Sequence, residues 1–350
     1  MSRQREITIL VCGVLYCIIS MWVMIYFADH KAINIENVAQ DQLVSMDDFT
    51  LEQLDKMQQK EGTLRFRQDE ENSDYLCIPL QEGIQAENVV IENHYMERQM
   101  WIYINGISQT YFNNEAILGN ISHITAGIYE ITAKGVLLKF TLKDVFEYKS
   151  ILEENHLYIQ FIPPKDVYDK IIVIDAGFGG DEKGYIENGV VEKDFTLDIS
   201  RRLKERLDQS DIKVYYTRID DSTISNEERV NLANAVHADL FISIRLNQSK
   251  DQSIYGTETF YNESYFIPGF GSVELADIVE RNVVTQISGK GNGLFAAEES
   301  DILLNESKIP VAAIAVGYIS NKKEALLLQK DGYRDRIAEG LYQAILETYE

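Results

Sequence analysis

From Pro163 onward, apolar residues arrive in short unbroken runs separated by amphipathic stretches. KIIVIDA (170–176), DLFISIRLN (239–247) and IPVAAIAVGYIS (309–320) are nearly continuous in Val, Ile, Leu and Ala. That pattern suits strands buried on both faces. KVYYTR (213–218) and GTETFYN (256–262) read as two further strands. Between them, EKDFTLDISRRLKERLDQS (192–210) places Phe195, Ile199, Leu203 and Leu207 on one helical stripe. SNEERVNLANAVHA (225–238) predicts a helix opened by Ser225 as N-cap, with Glu228 three residues on. SVELADIVERNVVTQI (272–287) predicts another, and two more helices close the chain. Strands alternating with helices predict an α/β domain over 166–350, its sheet mostly parallel with helices on both faces. Ligands of such sheets lie beyond the carboxyl ends of the strands, here Asp175–Gly180, Arg245–Asn247 and Ala315–Tyr318.

Upstream the period changes to two. LCIPL (76–80), NVVIEN (88–93), QMWIYINGIS (99–108), VLLKFTL (136–142) and HLYIQFI (156–162) are rich in Val, Ile, Tyr and Phe, with Gly, Asn and Asp between them. They predict a small β-sandwich-like domain over 75–165. Tyr95, Trp101 and Tyr103 read either as core aromatics or as a glycan-stacking surface. Residues 29–74 are acidic and polar and read as a stalk. It carries one helix signal, DDFTLEQLDKMQQK (47–60), with a capping box from Thr50 to Gln53. Residues 7–28 contain no charge and follow Arg3 and Arg5 in the short segment 1–6. A bilayer needs about 20 such residues. The run is long for a signal peptide and lacks a small-x-small exit, so it predicts an uncleaved single-pass anchor. The flanking arginines put its N-terminus in the cytoplasm and the bulk of the chain outside.

Composition adds constraints on partners. The 350 residues are 45% hydrophobic and 25% charged, with a formal net charge of −23. No basic excess is available to displace phosphate counterions, so nucleic acid is excluded as a partner. Of three cysteines, Cys12 and Cys17 fall in the apolar run and Cys77 stands alone, so no intramolecular disulfide is expected outside the anchor.

The glycine-rich turn IIVIDAGFGG (171–180) invites a nucleotide-binding reading, but Gly177 and Gly179 are followed by Glu182 where a dinucleotide fingerprint needs a third glycine. No G-K-[ST] or G-x-S-x-G motif is present. The α/β part holds one histidine, His237, at the end of a predicted helix and at the wrong end of the following strand for a site.

Taken in order, IIVIDAGFGG, NGVVEKDFTLDIS (188–200), YYTRIDDSTISNEERVNLAN (215–234), ADLFISIRLN (238–247) and IPVAAIAVGYISNKKEALLL (309–328) resemble the motifs of the zinc-dependent N-acetylmuramoyl-L-alanine amidases of bacterial cell walls. The resemblance covers residues 170–349. It implies an α/β sheet, one zinc ion and hydrolysis of the amide between muramic acid lactate and L-alanine. It also implies a turn histidine, a helix glutamate and a strand histidine as ligands, with a late strand glutamate handling protons. Those positions fall on Phe178, Glu192, Arg245 and Ala315. Phenylalanine has no lone pair for zinc, arginine stays protonated and alanine moves no proton. Glu192 alone is retained, so the chain resembles a degenerate member with no metal or other cofactor expected and no catalytic residue assigned.

An internal ion pair between Arg245 and Glu192 is expected in place of the metal, with Phe178 filling the remaining space. Asn247 is the candidate substrate contact. The family's R-G before the late strand is replaced by GKGNGL (289–294), and the aromatic segment YNESYFIPGFG (261–271) reads either as a cover over a groove or as a packed loop. The functional expectation is a membrane-anchored pseudo-amidase that binds peptidoglycan stem peptides or envelope proteins. The alternatives are an active amidase with unusual ligands and a purely structural envelope scaffold.

Overall fold

The computed structural model describes residues 61–68, 74–263, 266 and 268–350. The expected anchor at 7–28, most of the stalk and its helix, and part of the segment 261–271 lie outside the described residues. No helix among the described residues is long and apolar enough to cross a membrane. The described chain forms two compact units.

The first unit is all β. Its strands are β1 (Glu61–Thr63), β2 (Arg65–Gln68), β3 (Leu76–Pro79), β4 (Val89–His94), β5 (Gln99–Asn105), β6 (Ala116–Gly119), β7 (Ile124–Ile131), β8 (Gly135–Leu142), β9 (Glu147–Glu153) and β10 (His156–Ile162). They form two five-stranded sheets, ordered β1-β7-β8-β5-β4 and β2-β6-β3-β10-β9. β1 and β2 precede residue 75, so the sheets take up the end of the stretch that the sequence assigns to the stalk. Alternation decides which side chains go inward: along β5, Met100, Ile102 and Ile104 are buried while Trp101 and Tyr103 are only partly so. Phe66 of one sheet meets Phe140 of the other edge to face at 6.2 Å. Trp101 stands on the outer face with His94 against one side and the Lys139 ammonium 4.4 Å from its ring centre. Trp101 is therefore neither core nor an open stacking platform.

The second unit comprises residues 162–350 with two short segments, 95–97 and 144–147. Its elements are β11 (Ile171–Ala176), β12 (Ile186–Glu187), β13 (Val190–Val191), α1 (Glu192–Leu207), β14 (Lys213–Tyr216), α2 (Asn226–Ala235), β15 (Leu240–Asn247), β16 (Thr257–Tyr261), α3 (Ser272–Ile287), β17 (Gly291–Ala296), α4 (Ile302–Asn305), β18 (Val311–Tyr318), α5 (Lys322–Leu328) and α6 (Asp331–Glu347). The main sheet runs β14-β11-β15-β18-β16-β17. All neighbours are parallel except β16 and β18, which run antiparallel. The alternating runs thus predict the sheet, but β17, α4 and the β12–β13 hairpin are too short and too poor in pattern to be read from sequence.

Both sheet faces are covered. Ile172, Ile174, Ile242, Ile244 and Ile314 pack with Ile199 and Leu203 of α1, Leu275 and Val279 of α3, and Ile337 and Leu341 of α6. On the opposite face, Val173, Phe241 and Ala313 pack with Val230 and Ala233 of α2 and Leu303 and Leu304 of α4. Ser225 caps α2 as expected, its side chain accepting from the Glu228 N–H. His237 follows that helix with φ +49°, a left-handed residue at the helix exit.

α3 and α6 approach closely at Gly340, where an added Cβ would stand 2.6 Å from Val283 Cα. Gly340→Val is expected to force the helices apart and destabilise the α/β unit by about 1–3 kcal/mol. Urea unfolding followed by circular dichroism checks it; an unchanged midpoint would show that the crossing is loose.

Candidate functional site

β11 ends with Asp175 and Ala176, and the Asp175 carboxylate is buried at 1% exposure. Its Oδ1 accepts from Thr217 Oγ1 at 2.6 Å and from Arg229 Nη1, and its Oδ2 accepts from Ser243 Oγ at 2.6 Å. Burial pushes this carboxyl up, but the Arg229 charge and these hydrogen bonds outweigh it and hold it below the usual carboxylate range. Two arginines then grip the turn that follows. Arg229 donates to the carbonyls of Ala176 and Phe178, both at 2.8 Å. Arg218 donates to the carbonyls of Ala176 at 2.8 Å and Gly177 at 3.1 Å. Burial, with Arg229 beside it, lowers Arg218 to about 10.

These bonds fix Phe178 at φ +60°, a conformation uncommon for a bulky residue. Its ring lines a pocket of about 400 Å³ at the carboxyl ends of β11 and β15, together with Glu192, Arg245, Asn247, Asp301 and Ala315. The structure therefore brings together all five positions singled out in the sequence. Phe178 and Glu192 converge on Gly184, where a Cβ would fall 2.7 Å from Phe178 Cδ2 and 2.6 Å from Glu192 Oε2.

The expected pairing of Arg245 with Glu192 is not what forms. Arg245 instead makes a two-pronged ion pair with Asp301, Nη1 to Oδ2 at 2.5 Å and Nη2 to Oδ1 at 3.2 Å. A planar guanidinium fits a carboxylate best in this geometry. Asp301 also caps α4, accepting from the Leu304 N–H at 3.2 Å. Burial lowers the pKa of Arg245, yet Asp301 more than offsets this and raises it. Asp301 is the residue that sequence reasoning missed. Its one signal was an N-cap residue ahead of ILL (302–304), which says nothing about a partner 56 residues away.

Glu192, fully buried at the start of α1, uses backbone donors. Its Oε2 accepts from the Tyr185 N–H at 3.0 Å and its Oε1 from the Leu246 N–H at 2.7 Å. Burial pushes it up to about 6, against the pull of those N–H groups and of the more distant Arg245 charge.

A zinc ion does not fit this donor set. Phe178 offers carbon and Arg245 offers only N–H donors, already turned to Asp301. Glu192 is then the one anionic donor left of the family's set, and a single carboxylate does not hold zinc. Among the described residues no group of three or more His, Cys, Asp or Glu is placed to hold a metal.

Ala315 on β18 sits between Arg245 of β15 and Glu258 of β16 in register. Asn247 follows an irregularity in the β15–β18 pairing. Its Nδ2 donates to Glu258 Oε2 at 2.7 Å.

The site thus lies in a pocket at the strand ends of a mostly parallel α/β sheet. Residues 172–347 match the family profile described as N-acetylmuramoyl-L-alanine amidase, half of the chain. The chain belongs to the N-acetylmuramoyl-L-alanine amidase family. It is 30% identical over 183 residues to the N-acetylmuramoyl-L-alanine amidase LytC of Bacillus subtilis, covering 52% of this chain and 36% of that protein. It is 31% identical over 196 residues to the germination-specific N-acetylmuramoyl-L-alanine amidase of the same organism, covering 51% of this chain and 80% of that protein. Among solved structures, the CwlD amidase of Clostridioides difficile in complex with the GerS lipoprotein matches at 27% identity and a TM-score of 0.45, covering 51% of this chain and 98% of that one. The chain thus spans about a third of LytC but most of the other two.

Two outcomes follow from the charge network. Arg229→Met leaves Asp175 buried without its cation and is expected to cost about 3–5 kcal/mol, whereas adding Asp175→Asn recovers part of the loss. Chemical denaturation of the two variants checks this. Glu192 titrates in the opposite sense to Asp175. Its pKa is raised from 4.5 to about 6 on folding, so the folded state holds the proton more tightly. The Glu192 contribution to stability is full below about 4.5 and is lost as pH rises through about 6, a drop of about 2 kcal/mol. Wild-type stability measured across that window should show this fall, and Glu192→Gln should flatten it.

Proposed function

We propose that this chain is a membrane-anchored extracytoplasmic cell-wall protein whose amidase-like domain binds peptidoglycan stem peptides, or envelope proteins, without cleaving them. The observation that carries this reading is the Arg245–Asp301 ion pair inside the pocket. It stands where the resemblance places a zinc-binding imidazole, and it supplies a fixed cation already neutralised by its own carboxylate. Phe178 and Ala315 remove a second ligand and the proton-handling carboxylate. A donor set that cannot hold zinc forgoes the means by which such a metal lowers the pKa of an attacking water and polarises an amide oxygen. The pocket of about 400 Å³ at the strand ends and the turn held by its carbonyls support a binding role for the domain.

A working amidase with a different donor set is the second reading. One observation favours it: Glu192 is a buried carboxyl in the pocket with a pKa near 6, suited to moving protons near neutral pH. Metal analysis and muropeptide release from purified sacculi separate the two. The proposal expects sub-stoichiometric zinc, no release of stem peptides, and retention on sacculi; stoichiometric zinc with released peptides would establish the enzyme. Retention on neither sacculi nor envelope proteins would favour an inert scaffold. The variant Phe178→His/Arg245→His/Asp301→Asn returns two imidazoles to the pocket and keeps the α4 cap as an asparagine. It is expected to gain about one zinc per chain, measured by atomic emission.

A further inference from the structure

Glu258 falls in none of the five motifs named above, and its hydrogen-bond partners account for a carboxylate there. Glu258 lies on β16 opposite Ala315. Its Oε2 accepts from Asn247 Nδ2 at 2.7 Å, and its Oε1 accepts from the Tyr318 hydroxyl at 2.6 Å and from Asn292 Nδ2 at 3.5 Å. No cation pairs with it among the described residues. Asn247 and Tyr318 are themselves partners in the β15–β18 register. The carboxylate thus gathers amide and phenol donors from the carboxyl ends of β15 and β18 and from the start of β17.

The effect on Asn247 is to fix which way its carboxamide points. Oδ1 accepts from the Gln248 N–H at 2.9 Å while Nδ2 faces Glu258. Turning the amide over would set oxygen against carboxylate and NH₂ against N–H, unfavourable on both sides. Only one of the two Nδ2 hydrogens is used, and Asn247 lines the pocket. The second hydrogen has no partner among the described residues. A glutamine at 258 would fill the same space but would present an NH₂ of its own, leaving the Gln248 N–H as the one group that orients Asn247.

We propose that Glu258 is a positioning residue that holds Asn247 as a hydrogen-bond donor to a carbonyl oxygen of a peptide bound in the pocket. This rests on the peptide-binding reading above. The test uses the full chain in detergent, with N-acetylmuramoyl-L-alanyl-D-isoglutamine as ligand in calorimetric titrations. Glu258→Gln is expected to weaken binding about tenfold, the scale of one oriented hydrogen bond. Glu258→Gln combined with Asn247→Asp reverses the polarity of the contact, since the introduced amide on β16 then donates to the introduced carboxylate on β15. That double variant is expected to regain wild-type thermal stability yet stay weak in binding, because a carboxylate at position 247 offers no hydrogen. Recovery of stability alone marks a positioning role, which a purely structural contact would not produce. Wild-type-like binding by Glu258→Gln, or recovery of binding together with stability in the double variant, would overturn the inference while leaving peptide binding intact. No binding by the wild-type chain would overturn the peptide-binding reading and this inference with it.

Discussion

The guanidinium of Arg229 meets the carboxylate of Asp175 where both are 1% exposed, and the site depends on that meeting. A charge in such a place is tolerable only when paired and fully hydrogen-bonded. Here every neighbour contributes. Thr217 and Ser243 complete the carboxylate, and Arg229 directs its remaining donors to the carbonyls of Ala176, Phe178 and Ile224. Arg218 grips the same turn with no carboxylate in its hydrogen-bond set, only backbone carbonyls and the Thr196 hydroxyl. The turn is therefore held by its backbone. The contacts that hold it are ones the side chain at position 178 does not make.

That independence gives a physical account of how the chemistry at the pocket can differ while the scaffold stays. A left-handed residue gripped through its own and the two preceding carbonyls will present imidazole or phenyl at the same place. Gly184 allows the ring to approach Glu192. On the other wall, Arg245 introduces a charge that Glu192 does not neutralise by contact. The carboxylate that does so comes from Asp301, which also starts a short helix, so pocket electrostatics and local folding are joined in one residue. Glu192, left with backbone donors, is pushed by burial up to about 6.

Much of the architecture was legible in the chain. Continuous apolar runs marked β11, β15 and β18 because strands covered on both faces need apolar residues at every position. The stripe from Phe195 to Leu207 marked α1, and Ser225 with Glu228 marked the start of α2. Alternation marked the β-sandwich, but it placed Trp101 and Tyr103 only as outward-facing or core without deciding between them. β1 and β2 escaped notice because strands of three and four residues carry too little pattern to stand out from a polar segment. β17, GNGLFA, is mostly small residues on an edge and gives no period at all.

Residue order alone carries the family motifs, the strand ends at which a site must lie, and the side-chain types standing at Phe178, Glu192, Arg245 and Ala315. Those follow from local order and from the chemistry of single side chains. It did not determine partners. Arg245 had Glu192, Asp301 and other carboxylates to choose among, and opposite charges attract at any sequence separation. Only the packed structure decided, by placing Asp301 at a helix start facing the guanidinium and by giving Glu192 two backbone N–H groups instead. The same holds for Glu258 and Asn247. Their contact exists because β16 runs antiparallel beside β18, and that geometry is fixed by the tertiary fold rather than by either strand alone.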